Sequence, residues 1–340
     1  MTVELLEKLC MLNGASGDEN RVRDFILSEI SGYCEYRVDP LGNIIAEKKG
    51  KSASSKKVMI SAHMDEVGMI VTSVKSDGTL TVFPVGGIDP RVAIGRPVFV
   101  GDSDIYGVIG AKAVHNLSAD EKKTAPKFDA LYIDIGAEDK AAAEKLVSLG
   151  DFVHFSSEFL HFGDDFIKGK AIDDRFGCAV MIDLIKSELP YDCTFTFVVQ
   201  EEVGLRGSQT AAYRVAPDFA IVLEATTAAD IPLASGEKRC CELGRGAVVS
   251  YMDRSTIYDK ELYGISRDIA LKNGIKWQTK TMVAGGNDSR AIHISRGGVR
   301  TIAISAPCRY LHSPSCVVKL SDLEDCEKLA GLMLEKMCTM

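Results

Sequence analysis

The chain has 340 residues, 46% apolar, 26% charged and only 7% aromatic, which fits a globular protein with one large or two modest cores and excludes collagen, coiled coil and disordered tail. Its 40 basic and 48 acidic residues leave a net charge of −8, and no stretch gathers Lys and Arg densely enough to track phosphates, so nucleic acid is excluded as a partner. No apolar run approaches the roughly 20 residues that cross a bilayer, and the start, Met1-Thr-Val-Glu-Leu-Leu-Glu-Lys, lacks a basic and then apolar signal; the expectation is no membrane and a cytoplasmic location.

Two amphipathic helices open the chain, one on Leu5, Leu6, Leu9 and Leu12, the other on Val22, Phe25, Ile26 and Ile30 after the polar Ser16-Gly17-Asp18. Residues 48–57 read as a polar, exposed loop, and 56–62 as a short buried strand that runs into His63-Met64-Asp65-Glu66-Val67-Gly68. Over about 68–162 the texture turns to short β-rich pieces punctuated by Asp77-Gly78, Gly86-Gly87, Gly95 and Gly101, the rhythm of a small barrel or sandwich, with one helix around 139–149.

Beyond this insert, strands and helices alternate as in an open α/β sheet. Strand patterns lie at 194–199, 219–223 and 299–304, and a helix apolar on most faces at 175–189. A last helix starts at about Asp322, where Ser321 and Glu324 make a capping-box pattern. The ten cysteines are scattered from Cys10 to Cys338, with Cys240-Cys241 adjacent and no C-x-x-C, which points to reduced, mostly buried thiols rather than a zinc ribbon or a disulfide framework.

In open α/β sheets the ligand crevice lies beyond the carboxyl ends of the strands, and those ends here carry acids and histidines. The first strand runs into His63 and Asp65, the next into Glu201 and Glu202, a third into Glu224, and the last is followed by His312; Asp173 and Asp174 precede the buried helix. Singly, each is a polar turn, a helix-capping acid or a solvated loop. Jointly, converging carboxylates repel unless cations neutralise them. Histidine with carboxylate suits zinc, cobalt or manganese rather than calcium, and the number of acids exceeds what one tetrahedral ion needs, favouring two ions bridged by a carboxylate. His115, His154, His161 and His293 read as structural or exposed, and Gly285-Gly286-Asn287-Asp288 as a backbone-rich loop with no P-loop pattern around it.

Five segments carry a resemblance: Ser61-Ala62-His63-Met64-Asp65-Glu66-Val67-Gly68, Gly169-Lys170-Ala171-Ile172-Asp173-Asp174-Arg175-Phe176-Gly177, Gln200-Glu201-Glu202-Val203-Gly204-Leu205-Arg206-Gly207, Gly285-Gly286-Asn287-Asp288 and Arg309-Tyr310-Leu311-His312-Ser313-Pro314. Over nearly its whole length the chain resembles the glutamyl and tetrahedral aminopeptidases, dinuclear metallopeptidases of the zinc exopeptidase group. Pattern and resemblance together give the fold class as α/β, a mixed central sheet with helices on both faces plus an inserted, small, β-rich barrel-like domain.

The resemblance implies that His63 binds one metal, Asp173 bridges both, Glu202 and His312 complete the second site, and Glu224 completes the first, where comparable proteins often carry Asp. It makes Glu201 the general base and Asp65 the carboxylate that orients the first histidine. The implied cofactors are two divalent ions per subunit, zinc or cobalt, with manganese as a further candidate. Residues 1–65 and 162–340 would form the catalytic domain and 66–161 a dimerisation domain, with dimers assembling into a tetrahedral dodecamer that takes short peptides.

Three other readings compete with the aminopeptidase. A dinuclear deacylase or carboxypeptidase on the same core would use a basic residue, such as Arg175, Arg206 or Arg309, to hold a substrate carboxylate. An endoglucanase would use paired carboxylates, but Trp277 is the single tryptophan, too few for a polysaccharide cleft. A non-catalytic homologue would need neither Asp65 nor Glu201.

Overall fold

The computed structural model describes residues 1–232, 234 and 236–340. Helices α1 (Val3–Met11) and α2 (Asn20–Ile30) form on the expected apolar stripes: Leu6 and Leu9 are buried in the first, Val22, Ile26 and Ile30 in the second. Strands β1 (Glu35–Val38) and β2 (Ile44–Lys48) make an antiparallel hairpin that the sequence did not announce, because β1 is exposed along its whole length and carries no alternation. β3 (Val58–His63) is buried at every position.

The next strands are β4 (Gly68–Val74), β5 (Leu80–Val85), β6 (Pro97–Val100), β7 (Ile105–Gly110), β8 (Tyr132–Asp134) and β9 (Phe152–Phe155), with the short helix α3 (Pro90–Ala93) before β6. They close into a barrel in the order β4-β5-β8-β7-β6-β9, which removes free sheet edges, around a core of its own that includes Met69, Leu80, Val98, Ile133 and Val153. The helix expected over 139–149 is a correction: regular helix α4 covers only Lys140–Ala143. Turns carry on to Val147, whose N–H reaches the Ala143 oxygen at 3.0 Å. Ala143 and Val147 are the buried side chains of this stretch, too small an anchor to hold a longer helix.

After the barrel come β10 (Leu160–Phe162), β11 (Phe166–Gly169), α5 (Ile172–Lys186), β12 (Cys193–Val198), α6 (Arg206–Val215), β13 (Phe219–Thr227), β14 (Ala247–Val249), α7 (Lys260–Lys272), β15 (Trp277–Thr279), α8 (Ser289–His293), β16 (Arg300–Cys308), β17 (Cys316–Lys319) and α9 (Leu320–Cys338). Eight strands form a mixed sheet in the order β1-β2-β12-β3-β13-β16-β14-β15, and β10-β11-β17 form a separate three-stranded sheet. Side chains alternate across the large sheet. Val58, Ile60, Phe195, Ile221 and Ile302 pack with α1, α2, α5 and α9 on one face, while Met59, Ala220 and Val222 pack with Ala212 and Val215 of α6 and Ile292 of α8 on the other. The fold is therefore α/β with helices on both faces of a mixed sheet and a closed barrel inserted after β3.

Two further expectations change. β13 and β16 run past 223 and 304 because their parallel pairing continues from Phe219 opposite Arg300 to Thr227 opposite Cys308, carrying the polar Glu224 and Thr226 into the strand. The capping box at Ser321 and Glu324 is not used. β17 leads directly into α9 at Leu320 with no side-chain cap, and Asp322 instead accepts the N–H groups of Gly244 at 2.6 Å and Gly246 at 2.7 Å. The cysteines are all free, and all but the half-buried Cys34 are buried.

Candidate active site

β12, β3, β13 and β16 are consecutive parallel neighbours, so their carboxyl ends open on one edge of the sheet. His63 is the last residue of β3, Glu201 and Glu202 follow β12, Glu224 lies within β13, and His312 follows β16. Asp173 comes from the first turn of α5, where Asp173 and Asp174 have non-helical dihedrals and share a cis peptide bond.

The His63 ring lies between two kinds of acceptor. Its Nδ1 is 3.0 Å from the Asp65 carbonyl oxygen, while Nε2 is 3.3 Å from Asp173 Oδ1 and 3.6 Å from Glu224 Oε1. His312 repeats the arrangement: Nδ1 is 2.8 Å from the Gly87 carbonyl oxygen, contributed by the loop after β5, and Nε2 is 3.3 Å from Glu202 Oε2 and 3.7 Å from Asp173 Oδ2. A neutral imidazole that donates from Nδ1 presents a lone pair at Nε2. With Nδ1 held at a carbonyl oxygen, the Nε2 of each ring faces carboxylate oxygens, the position from which a neutral ring would serve as a metal ligand.

The donor atoms fall into two groups, His63 with Asp173 and Glu224, and Asp173 with Glu202 and His312, the atoms of each lying within 4.8 Å of one another. Asp173 belongs to both, one oxygen toward each histidine. Burial, and then the Asp173 charge, push the Glu224 carboxyl well above the usual carboxylate range. Burial likewise pushes Glu202 up to about 7, and burial raises Glu201 strongly. Nitrogen and oxygen donors gathered in two adjacent sets are groups that could hold metal ions.

Asp65 is fully buried, and its position refines the role expected of it. The group nearest the His63 ring is its backbone carbonyl, its carboxylate being 3.5 Å from Nδ1. The carboxylate accepts hydrogen bonds from the N–H of Glu201 at 3.0 Å, the N–H of Glu202 at 3.1 Å and the Ser16 hydroxyl at 2.6 Å. Arg175, fully buried, secures the same turn by donating to the Met64 carbonyl at 2.7 Å and to the Leu9 carbonyl at 2.5 Å.

Beside these groups lies a cleft of about 780 Å³, whose lining includes Asp173, Glu201, Glu202, Glu224 and His312 together with Arg254, Lys280 and the loop at Gly285. Gly285, Gly286 and Asn287 thus form part of the cleft wall. Sequence reasoning missed Arg254, Lys280, Arg290 and Gly87: single cations and glycines carry no periodic signal, and β14 and β15, with three residues each, are too short to make one.

The remaining histidines stay outside both donor groups. His154 is buried with Nε2 3.1 Å from Asp18, His293 has Nδ1 2.8 Å from the Ser289 carbonyl, and His115 and His161 are exposed. Of the arginines weighed for substrate binding, Arg175 is spent on backbone carbonyls and Arg309 pairs with both Asp230 oxygens at 2.7 Å, while Arg206 donates to Gln200 at 3.2 Å.

A family model described as M42 glutamyl aminopeptidase matches residues 42–329. Among similar proteins, a putative aminopeptidase of Acetivibrio thermocellus is 38% identical over 338 residues, covering 98% of each chain. The lysyl aminopeptidase of Pyrococcus furiosus is 32% identical, covering 98% of this chain and 97% of its own. Among solved structures, the Pyrococcus horikoshii TET1 peptidase, described as able to assemble into a tetrahedron or a large octahedral shell, superposes with a TM-score of 0.87 at 36% identity and 99% coverage of both chains.

Proposed function

The chain belongs to the M42 glutamyl aminopeptidase family, and from that premise and the site's geometry we propose that it is a metal-dependent aminopeptidase removing N-terminal residues from short peptides. The observation that carries this reading is the shared Asp173, whose two oxygens face His63 at 3.3 Å and His312 at 3.7 Å. We assign His63, Asp173 and Glu224 to one divalent ion and Asp173, Glu202 and His312 to the other, zinc or cobalt being the best match to these donors and manganese the next. Bound there, such ions supply Lewis-acid polarisation of the attacking water and of the scissile carbonyl.

Glu201 is assigned as the general base. Its carboxylate lines the cleft, its backbone is fixed by Asp65, and burial raises its proton affinity. It takes the proton from the attacking water and returns it to the departing amine. Asp65 acts as a positioning residue, and the acids around the centre offer partners for the free ammonium of the substrate's first residue.

The remainder of the reading follows the family. Residues 1–65 and 162–340 act as the catalytic domain and 66–161 as a dimerisation domain, with dimers assembling into a tetrahedral dodecamer. No helix among the described residues is long and apolar enough to cross a membrane, and we place the enzyme in the cytoplasm.

The test is hydrolysis of free-amine aminoacyl reporters by chelated protein before and after addition of zinc, cobalt or manganese, with N-acetylated controls. Metal-dependent cleavage confined to free amines is the expected result. Cleavage of the acetylated series would move the assignment to a deacylase or carboxypeptidase.

A further inference from the structure

Among the described residues Cys240 is the only cysteine in the lining of the cleft, to which Lys280 and Met282 also belong. It is 3% exposed, so its way to solvent is the cleft itself. Its carbonyl oxygen accepts the Thr281 N–H at 3.1 Å and the Thr281 hydroxyl at 3.2 Å, which fastens the residue to the chain just after β15.

The next residue is a second thiol. The single S–H of Cys241 has two acceptors, the Thr227 carbonyl at 3.4 Å and the Cys240 sulfur, and it prefers the sulfur once that is ionised. This hydrogen bond first, then the Lys280 charge and the Met282 N–H, outweigh burial and bring the Cys240 thiol from the ordinary 9.0 down to about 6. Burial instead pushes Cys10 up to about 12 and raises Cys34, the one half-buried thiol. Near neutral pH Cys240 is thus mostly thiolate, the form that attacks a disulfide. The larger thiolate fraction outweighs the lower nucleophilicity of a more acidic thiol by about three- to sixfold.

We propose that Cys240, with Cys241 beside it, is a modification site: it takes up the sulfur of a small-molecule disulfide, and the adduct keeps peptides out of the cleft. The Cys240 sulfur attacks one sulfur of the disulfide, the S–S bond breaks as the new bond to Cys240 forms, and the other half leaves as a thiolate that takes a proton from water. The peptide between the two cysteines is trans. Its Cα atoms therefore lie about 3.8 Å apart, below the roughly 4.4–6.8 Å usual for a disulfide, so Cys241 does not readily displace the adduct. A cleft of about 780 Å³ is the size of a site for one small ligand, and an adduct of tripeptide size competes with a substrate for it. Only this exclusion rests on the aminopeptidase reading above; the modification does not.

The test treats metal-loaded protein with oxidised glutathione at neutral pH and removes the reagent before assay. One glutathione per chain is expected, placed on Cys240 by peptide mapping, with metal content unchanged. Turnover of free-amine reporters falls in proportion to labelling and returns on reduction with 2-mercaptoethanol. Cys240→Ser takes no label and loses no turnover on treatment, and Cys240→Ala serves should that variant fail to fold. Cys241→Ala is labelled at Cys240 more slowly, by about twofold or more. Labelling of Cys34 in place of Cys240, an intramolecular disulfide in place of the adduct, full turnover in fully labelled protein, or an unchanged labelling rate in Cys241→Ala overturns the proposal. If no metal supports turnover, the aminopeptidase reading falls and the exclusion with it, while the peptide map still decides the modification site.

Discussion

The carboxylate of Asp65 accepts the backbone N–H of Glu201 at 3.0 Å, so the exit of β3 holds the exit of β12 from inside the protein. The other oxygen takes the N–H of Glu202 at 3.1 Å and the Ser16 hydroxyl at 2.6 Å. The carboxylate that follows the first histidine therefore also sets where the assigned base and a ligand of the second ion begin. In Asp65→Asn the amide nitrogen replaces one acceptor by a donor, and a buried N–H of Glu201 or Glu202 faces another donor. We expect kcat to fall by roughly ten- to a hundredfold with both ions retained, read from steady-state kinetics and metal stoichiometry on one preparation. Full activity in this variant would mean that the cross-brace does not position the base.

Glu201→Gln separates chemistry from metal binding. The substitution keeps the size of the side chain and removes the proton acceptor, and neither assigned donor group includes Glu201. Turnover should drop by about 10²–10⁴ while metal content stays at the parental level. A variant within twofold of the parent would transfer the base to another residue.

Glu224 lies inside β13, in register with Ser305 of β16, and its Oε1 is 3.6 Å from His63 Nε2 and accepts the Ala225 N–H at 3.0 Å. Glu224→Gln leaves His63 and Asp173 as the only charged or basic donors of their group. Under a competing chelator, stoichiometry should fall toward one ion per chain. Glu224→Asp keeps the charge and shortens the side chain by one C–C bond, about 1.5 Å, so the ion lost in Glu224→Gln should return. Loss of both ions in both variants would show that the two groups do not fill independently.

How much of this was legible from the residues follows from what kind of signal each feature leaves. His63, Glu202, Glu224 and His312 were legible because strand exits are readable from apolar runs and polar groups there stand out against them, and Asp173 because it precedes a helix apolar on most faces. Their pairing into two donor groups depends on the parallel order β12-β3-β13-β16, a long-range property with no local trace. The carbonyl of Gly87 beside His312 was invisible for a related reason: it reaches the site from the barrel, 225 residues away along the chain. The short helix at Lys140–Ala143 and the unused capping box at Ser321 show the opposite failure, where a valid local pattern yields to what its neighbours bury.

Glu19 offers a pH test at a residue outside both assigned donor groups. Its Oε1 accepts the N–H groups of Gly17 at 2.9 Å and of Gln200 at 3.0 Å, tying the start of α2 to the residue before Glu201. Burial first, and the Asp65 charge second, raise its carboxyl from the ordinary 4.5 to about 7. The unfolded chain releases this proton near pH 4.5 and the folded chain only near pH 7, so between those values the folded state binds more protons and stability falls as pH rises. Above pH 7 the loss is complete, at most about 3 kcal/mol. Glu19→Gln cannot ionise and keeps an oxygen to accept both N–H groups. It should match the parent near pH 4.5 and exceed it by roughly 1–3 kcal/mol at pH 8, as read from denaturant unfolding with the metal concentration held fixed. A stability difference that is the same at both pH values would mean that Glu19 ionises in the folded protein as it does in the unfolded one, and that the backbone donors of Gly17 and Gln200 fully offset its burial.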